Sequence, residues 1–235
     1  MKILVTTSDN YAFLLKPYCE LFNRYWPGNE IVFLGFDKAR IPQLPDNCSF
    51  RSLGVQSDFG RFWTDPLIPY IEEIEDEYFV VTVEDMMLTG PVDVNRVKIL
   101  EDEIKYGTAS KAILDTHLNI YSRPYKENIV QLNSKAPYRT TLHPCIWKKE
   151  YFKRYLKREY TAWDFEIKNM QESMSDGALI ISLADDENLF KSANVYKKGV
   201  PFPRWNEKSP WGCDTEIKEE DKFLILQYVG DQGII

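Results

Sequence analysis

The sequence predicts an α/β fold, a mixed and mainly parallel sheet flanked by helices, on three observations. Short apolar runs alternate with segments of helical period over most of the 235 residues. The first 36 residues read as strand, helix, strand, the unit that joins parallel strands by a right-handed crossover. The run 78–83 carries no charge until Glu84-Asp85, as expected of a strand buried on both faces.

Residues 3–7 form the first strand. Ser8-Asp9-Asn10 then offer turn and N-cap chemistry. A helical pattern follows through Phe13, Leu14, Tyr18, Leu21, Phe22 and Tyr25 and stops at Pro27-Gly28. Residues 31–36 are the second strand and 50–54 a short third. A helix over 65–75 puts Leu67, Ile68, Ile71 and Ile74 on one face, and the strand 78–83 comes next. A helix over 95–106, strands at 112–114 and 129–132, helices over 149–157 and 162–174, and a strand at 179–182 complete the pattern. Residues 200–235 form an irregular C-terminal segment of one domain spanning 1–235, broken by Pro201, Pro203 and Pro210, with a late apolar run at 223–229.

Composition narrows the function. Hydrophobic residues at 44% and charged residues at 28% suit a globular core. A net charge of -7 disfavours a surface that grips nucleic acid throughout, because phosphate neutralisation needs concentrated Lys and Arg. Cys19, Cys48, Cys145 and Cys213 lack metal or disulfide spacing. No stretch of about 18 apolar residues occurs, so a cytoplasmic protein without a membrane span is expected.

In an open α/β sheet, ligands bind beyond the carboxyl ends of the strands, and Glu84 and Asp85 stand there. Hard cations such as Mg²⁺ or Mn²⁺ take carboxylate and phosphate oxygens. The same pair can also simply end a strand in a solvated turn. After the first strand, Thr6, Thr7, Ser8 and Asp9 bring small hydroxyls and backbone N–H groups to a helix start, suited to a nucleotide base; Ser8 or Asp9 can equally serve only as a cap. Arg61 can hold phosphate, Trp63 can stack or fill the core, and Asp65 opens the next helix after Thr64 at its N-cap.

Four segments in order, Phe62-Trp63-Thr64-Asp65, Tyr78 through Leu88 with its Val83-Glu84-Asp85, Leu142-His143-Pro144-Cys145-Ile146-Trp147 and Trp163-Asp164-Phe165-Glu166, resemble a group of bacterial and phage GT-A glycosyltransferases over about residues 1–200. The resemblance implies a GT-A-like fold, a Mn²⁺ or Mg²⁺ cofactor, a nucleotide-diphosphate sugar donor (a UDP-sugar first) and a hydroxyl acceptor, glycan or small molecule. By it Asp85 is the metal ligand, Glu84 touches the donor or reaches the metal through water, and the donor base lies at residues 6–9. Glu84-Asp85 departs from a strict Asp-x-Asp.

Transfer with inversion needs a carboxylate base, and Asp164 and Glu166 are the candidates. Thr161 and Asp164 have capping-box spacing, a structural task for Asp164. Glu166 flanks the apolar stripe of Trp163, Ile167, Met170 and Met174, a partly dry setting that suits a base. His117 and His143 read as metal or phosphate contacts or as satisfied polar residues. Between 148 and 158 lie Lys148, Lys149, Lys153, Arg154, Lys157 and Arg158 with one acid, Glu150. This is either the polar face of an amphipathic helix or a docking face for DNA bearing modified bases. A non-catalytic GT-A-like binding domain is a further reading. A nucleotidyltransferase ranks last, since Thr6-Thr7-Ser8-Asp9-Asn10 lacks the glycine and lysine of its phosphate loop.

Overall fold

The computed structural model describes residues 1–37, 41–115, 117–184, 190–197, 200–201 and 217–230. Along the chain these are β1 (Lys2–Thr6), a 3₁₀ turn (Asp9–Leu14), α1 (Leu15–Tyr25), β2 (Glu30–Gly35), β3 (Cys48–Ser52), α2 (Gln56–Phe59), α3 (Thr64–Glu73), β4 (Tyr78–Val83), β5 (Met86–Leu88) and α4 (Val94–Lys105). There follow β6 (Lys111–Ile113), a 3₁₀ turn (Asn119–Tyr121), β7 (Ser122–Lys126), β8 (Ile129–Leu132), β9 (Cys145–Lys148), α5 (Lys149–Tyr155), α6 (Ala162–Lys168), α7 (Met170–Ser173), β10 (Ile180–Leu183), β11 (Ser192–Asn194), β12 (Tyr196–Lys197), β13 (Val200–Pro201) and α8 (Glu219–Gly230).

Nine strands form one sheet in the order β3-β2-β1-β4-β9-β6-β10-β8-β7. Pairing of β1 with β2 and β4, of β2 with β3, and of β6 with β10 is parallel; β9 and β8 run opposite to the other seven. The period-2 alternation of the strands sorts their side chains into two cores. Ile3, Val5, Ile31, Phe33 and Val80 pack on one face with Leu15 and Phe22 of α1, Leu100 of α4 and Ile225 of α8. Leu4, Val32, Leu34, Phe79 and Val81 pack on the other with Leu67 of α3, Phe152 of α5 and Phe165 of α6. Burial on both faces explains why these strands read as continuous apolar runs.

Two expectations change. The helix expected over 162–174 is broken at Asn169, whose buried amide donates to the Phe165 and Tyr155 carbonyls, both at 3.0 Å. A side chain that bonds its own helix backbone competes with the ladder. The segment expected to be irregular from residue 200 contains α8. Three acids in its first turn complement the helix N-terminus. One of them, Asp221, is wholly buried, where it pairs with Arg24 and accepts from the Tyr25 hydroxyl at 2.7 Å, so α8 is fastened to α1. Residues 202–216, with Pro203, Pro210 and Cys213, and 231–235 lie outside the described residues. Cys19, Cys48 and Cys145 are buried free thiols. Among the described residues no helix is long and apolar enough to cross a membrane.

Candidate active site

The strand register brings four loops to one end of the sheet. Thr6 pairs with Val83, so Thr7 lies across from Glu84. Val81 and Ile113 both pair with Cys145 of the antiparallel β9. Two residues further on, His143 therefore stands between Val83 and Asp115, and the Leu114 N–H bond to the Pro144 carbonyl at 3.0 Å carries the register that far. Neighbouring strands are about 4.8 Å apart, so Glu84 and Asp115 lie roughly 10 Å from one another across β9. This is the carboxyl end of β1, β4 and β6. Since β2 lies on one side of β1 and β4 on the other, it is also where the sheet order reverses, the position at which such sheets take ligands.

At the first loop, Thr6 and Thr7 are buried, and Thr7 N–H closes on the Leu34 carbonyl at 2.9 Å. Gly35 makes this approach feasible: a Cβ there would stand 2.8 Å from Thr7 Cγ2 and 2.7 Å from the Phe50 ring. Ser8 occupies the N-cap of the 3₁₀ turn with extended backbone, but its side chain makes no capping bond. Asp9 N–H donates to Gln56 Oε1 at 2.9 Å, which joins this loop to α2. Asp9 Oδ1 is buried with no hydrogen-bond partner among the described residues. A buried acceptor without a donor is costly in a finished core and useful where a ligand supplies the donor.

Glu84 and Asp85 form the turn between β4 and β5. Burial, and then the neighbouring Asp85 charge, push the Glu84 carboxyl well above the usual carboxylate range. Asp85 is half-buried, and its carbonyl accepts from Val195 N–H at 2.8 Å. Two adjacent carboxylates, one forced out of water, are chemically suited to a divalent cation that compensates both.

Asp115, His117 and His143 converge beside them. The Asp115 carboxylate lies between the rings, with Oδ1 against His117 Nδ1 and Oδ2 2.9 Å from His143 Nδ1. The imidazoles stack with centroids 4.1 Å apart, and the ligand atoms all lie within 4.8 Å of one another. Burial works to raise the Asp115 carboxyl, but the two imidazoles overcome it and hold it below its ordinary range; burial lowers His117. Sequence reasoning weighed the two histidines separately and missed Asp115. The available signal was Asp115-x-His117 directly after an apolar strand.

The other expected residues serve mostly as structure. Trp63 is packed edge-on against Phe165 and Phe152, with centroids 5.2 Å and 6.5 Å away, so of its two expected roles it fills the core. Thr64 lies inside α3 and not at its cap. Its hydroxyl bonds to the Lys157 carbonyl at 2.6 Å. Asp65 accepts from Glu159 N–H at 2.6 Å and pairs with Arg158, fastening the loop before α6. Arg61 is exposed just after α2.

Asp164 completes the capping box with Thr161 and pairs with Lys168 at 2.9 Å; Lys168 first and Thr161 next hold its carboxyl down at about 2. Glu166 Oε1 accepts from Leu142 N–H at 2.7 Å and from the Thr141 hydroxyl at 3.2 Å, anchoring the loop that leads into His143. The basic stretch is charge-paired or bonded throughout. Lys148 reaches the Gly107 carbonyl, Lys149 the Glu72 and Ile74 carbonyls, Lys153 Glu150, Arg154 and Lys157 Glu172, and Arg158 Asp65.

No protein-family model matches the chain, and no curated protein matches it. Solved structures do. A mannosyltransferase from Pyrobaculum calidifontis, in complex with GDP-Man and Mn²⁺, superposes with TM-score 0.51 at 11% identity over 84% of this chain and 57% of its own. The galactosyltransferase LgtC, in complex with donor and acceptor sugar analogs, matches at TM-score 0.43 and 15% identity over 75% of this chain and 70% of its own. The bifunctional IspDF from Campylobacter jejuni matches at 0.44 and 14% over 80% and 50%. The chain has the fold of GT-A glycosyltransferases, a mixed α/β architecture around a large, mostly parallel sheet.

Proposed function

We propose that residues 1–235 form one metal-dependent glycosyltransferase domain that moves a sugar from a nucleotide-diphosphate donor, a UDP-sugar first, to a hydroxyl of a glycan or small molecule. The observation that carries this reading is the register that aligns Thr7, Glu84-Asp85, His143 and Asp115 at the reversal point of the sheet.

In this reading Thr6, Thr7 and Ser8 bound the base, and Asp9 Oδ1 accepts from it. Arg61 meets the phosphate. Asp85 is the carboxylate that holds the cation, with Glu84 beside it. A bound Mn²⁺ or Mg²⁺ supplies charge compensation to the departing diphosphate. Glu166 is the base, its carboxylate oriented by Leu142 and Thr141. Asp164 is too weakly basic and is committed to its cap. Four of the six basic residues between 148 and 158 are ion-paired and two bond to carbonyls, which gives no support to a DNA acceptor.

A screen of nucleotide-sugars for release of the nucleoside diphosphate tests the proposal. Wild type is expected to release UDP from at least one UDP-sugar in Mn²⁺, and Asp85→Asn to lose that release. Binding without release from any donor would refute catalysis and leave a binding domain.

A further inference from the structure

We infer that Asp115, His117 and His143 form a nitrogen-containing binding site for a divalent transition metal, separate from the all-oxygen pair Glu84-Asp85. The inference is independent of the transferase reading, since it rests on the cluster alone.

The geometry suits one ion. At metal–ligand bonds of about 2.0–2.2 Å, neighbouring ligand atoms on one ion stand about 3–3.5 Å apart. His143 Nδ1 and Asp115 Oδ2 are already 2.9 Å apart, and the whole set spans no more than 4.8 Å, little wider than the about 4 Å between opposite ligands of one ion. Both rings turn Nδ1 toward the same carboxylate, His117 to Oδ1 and His143 to Oδ2.

The ligands are also held from outside. Ser182 on β10 reaches the Asp115 carbonyl at 3.4 Å, and the Thr141 hydroxyl accepts from His143 N–H at 3.2 Å, itself held by Glu166. They come from strand ends, where positions are set by the sheet, which is how a site is made rigid before its ion arrives. Finally, Asp115 is wholly buried. A buried carboxylate keeps its charge only beside compensating charge, which a dication shared with the two imidazoles supplies without protonating either ring.

Donor type sets the preference. Two imidazoles and one carboxylate suit Zn²⁺, Co²⁺ or Fe²⁺ more than Mg²⁺, which prefers oxygen. The experiment is unusually direct because the chain has only two histidines, both in the cluster, so every imidazole signal reports on this site. The full chain, stripped with chelator, is titrated with Zn²⁺ while the imidazole nitrogens are followed by ¹⁵N NMR. Both histidines are expected to shift together and saturate at one equivalent, with Mg²⁺ at the same concentration leaving them in place. Co²⁺ in place of Zn²⁺ is expected to give visible ligand-field bands, and His143→Gln to weaken Co²⁺ binding by at least about 100-fold. Imidazole signals unmoved by saturating Zn²⁺, or moved equally by Mg²⁺, would overturn the inference. Neither result bears on UDP release, so this failure and that of the transferase reading are told apart.

Discussion

Replacing Glu166 separates what its carboxylate holds from what it does. Oε1 accepts from Leu142 N–H at 2.7 Å and from Thr141 Oγ1 at 3.2 Å, and both residues are buried. Glu166→Ala leaves the Leu142 N–H without an acceptor in a buried place, at a cost of about 1–3 kcal/mol. For a chain of this size 1 kcal/mol moves Tm by about 2–4 °C, so a loss near 2 kcal/mol lowers it by about 4–8 °C. Glu166→Gln keeps an amide oxygen for the same N–H and gives up only the charge assistance, about 1 kcal/mol, so it should melt about 2–4 °C below wild type. Yet the amide cannot take a proton, and turnover should fall by about 10²–10⁴. Thermal melts by circular dichroism and donor turnover on all three proteins read both effects. A Gln variant that turns over within about threefold of wild type falls well short of what a general base contributes, and would refute the role given to Glu166; an Ala variant that melts like wild type would refute the anchor.

Gly35→Ala drives a Cβ to within 2.8 Å of Thr7 Cγ2 and 2.7 Å of Phe50; overpacking of this kind costs about 1–3 kcal/mol, and calorimetry should show weaker UDP binding as Thr7 shifts, whereas unchanged affinity would remove Thr7 from the base site. Lys111 is wholly buried, and burial pushes its ammonium from 10.5 down to about 8. The folded chain thus carries a penalty for the charged form below pH 8 that is relieved as pH rises towards 10.5. Lys111 alone should add about 3 kcal/mol of stability across that window, a rise that urea unfolding should find in wild type and not in Lys111→Met. Asp164→Ala should lower Tm by fraying α6 while turnover well below Tm stays near wild type; a collapse of turnover in a folded Asp164→Ala would return Asp164 to candidacy as the base.

What could be read from the sequence was whatever a strand or a local spacing determines. The strand over 78–83 was plain because both its faces are buried, and its acidic end was plain because charge follows the run abruptly. The Thr161–Asp164 box was legible from three-residue spacing and forms as expected. Of the histidine cluster only Asp115-x-His117 was legible, because His143 lies 28 residues from Asp115 and only the antiparallel β9 brings them side by side. Glu166 shows the same limit: its anchoring partners are 24 and 25 residues away, so its neighbours in sequence say nothing of them. The break at Asn169 hid behind the apolar period because it depends on a side-chain amide reaching Tyr155, 14 residues back. The basic stretch looked like an open positive face only until its acceptors, Glu172 and Asp65, were placed against it.

In the proposed reading the carboxyl end of β1 and β4 holds a nucleoside diphosphate through a cation at Asp85. Thermal melting of the full chain with UDP and Mn²⁺, together and separately, is the test, because a ligand at free concentration L that binds only the folded state stabilises it by RT ln(1 + L/Kd) and so raises Tm. The two together are expected to raise Tm by more than the sum of each alone, and Asp85→Ala to abolish that excess. No rise with any nucleoside diphosphate in Mn²⁺, or a rise that survives Asp85→Ala, would contradict it.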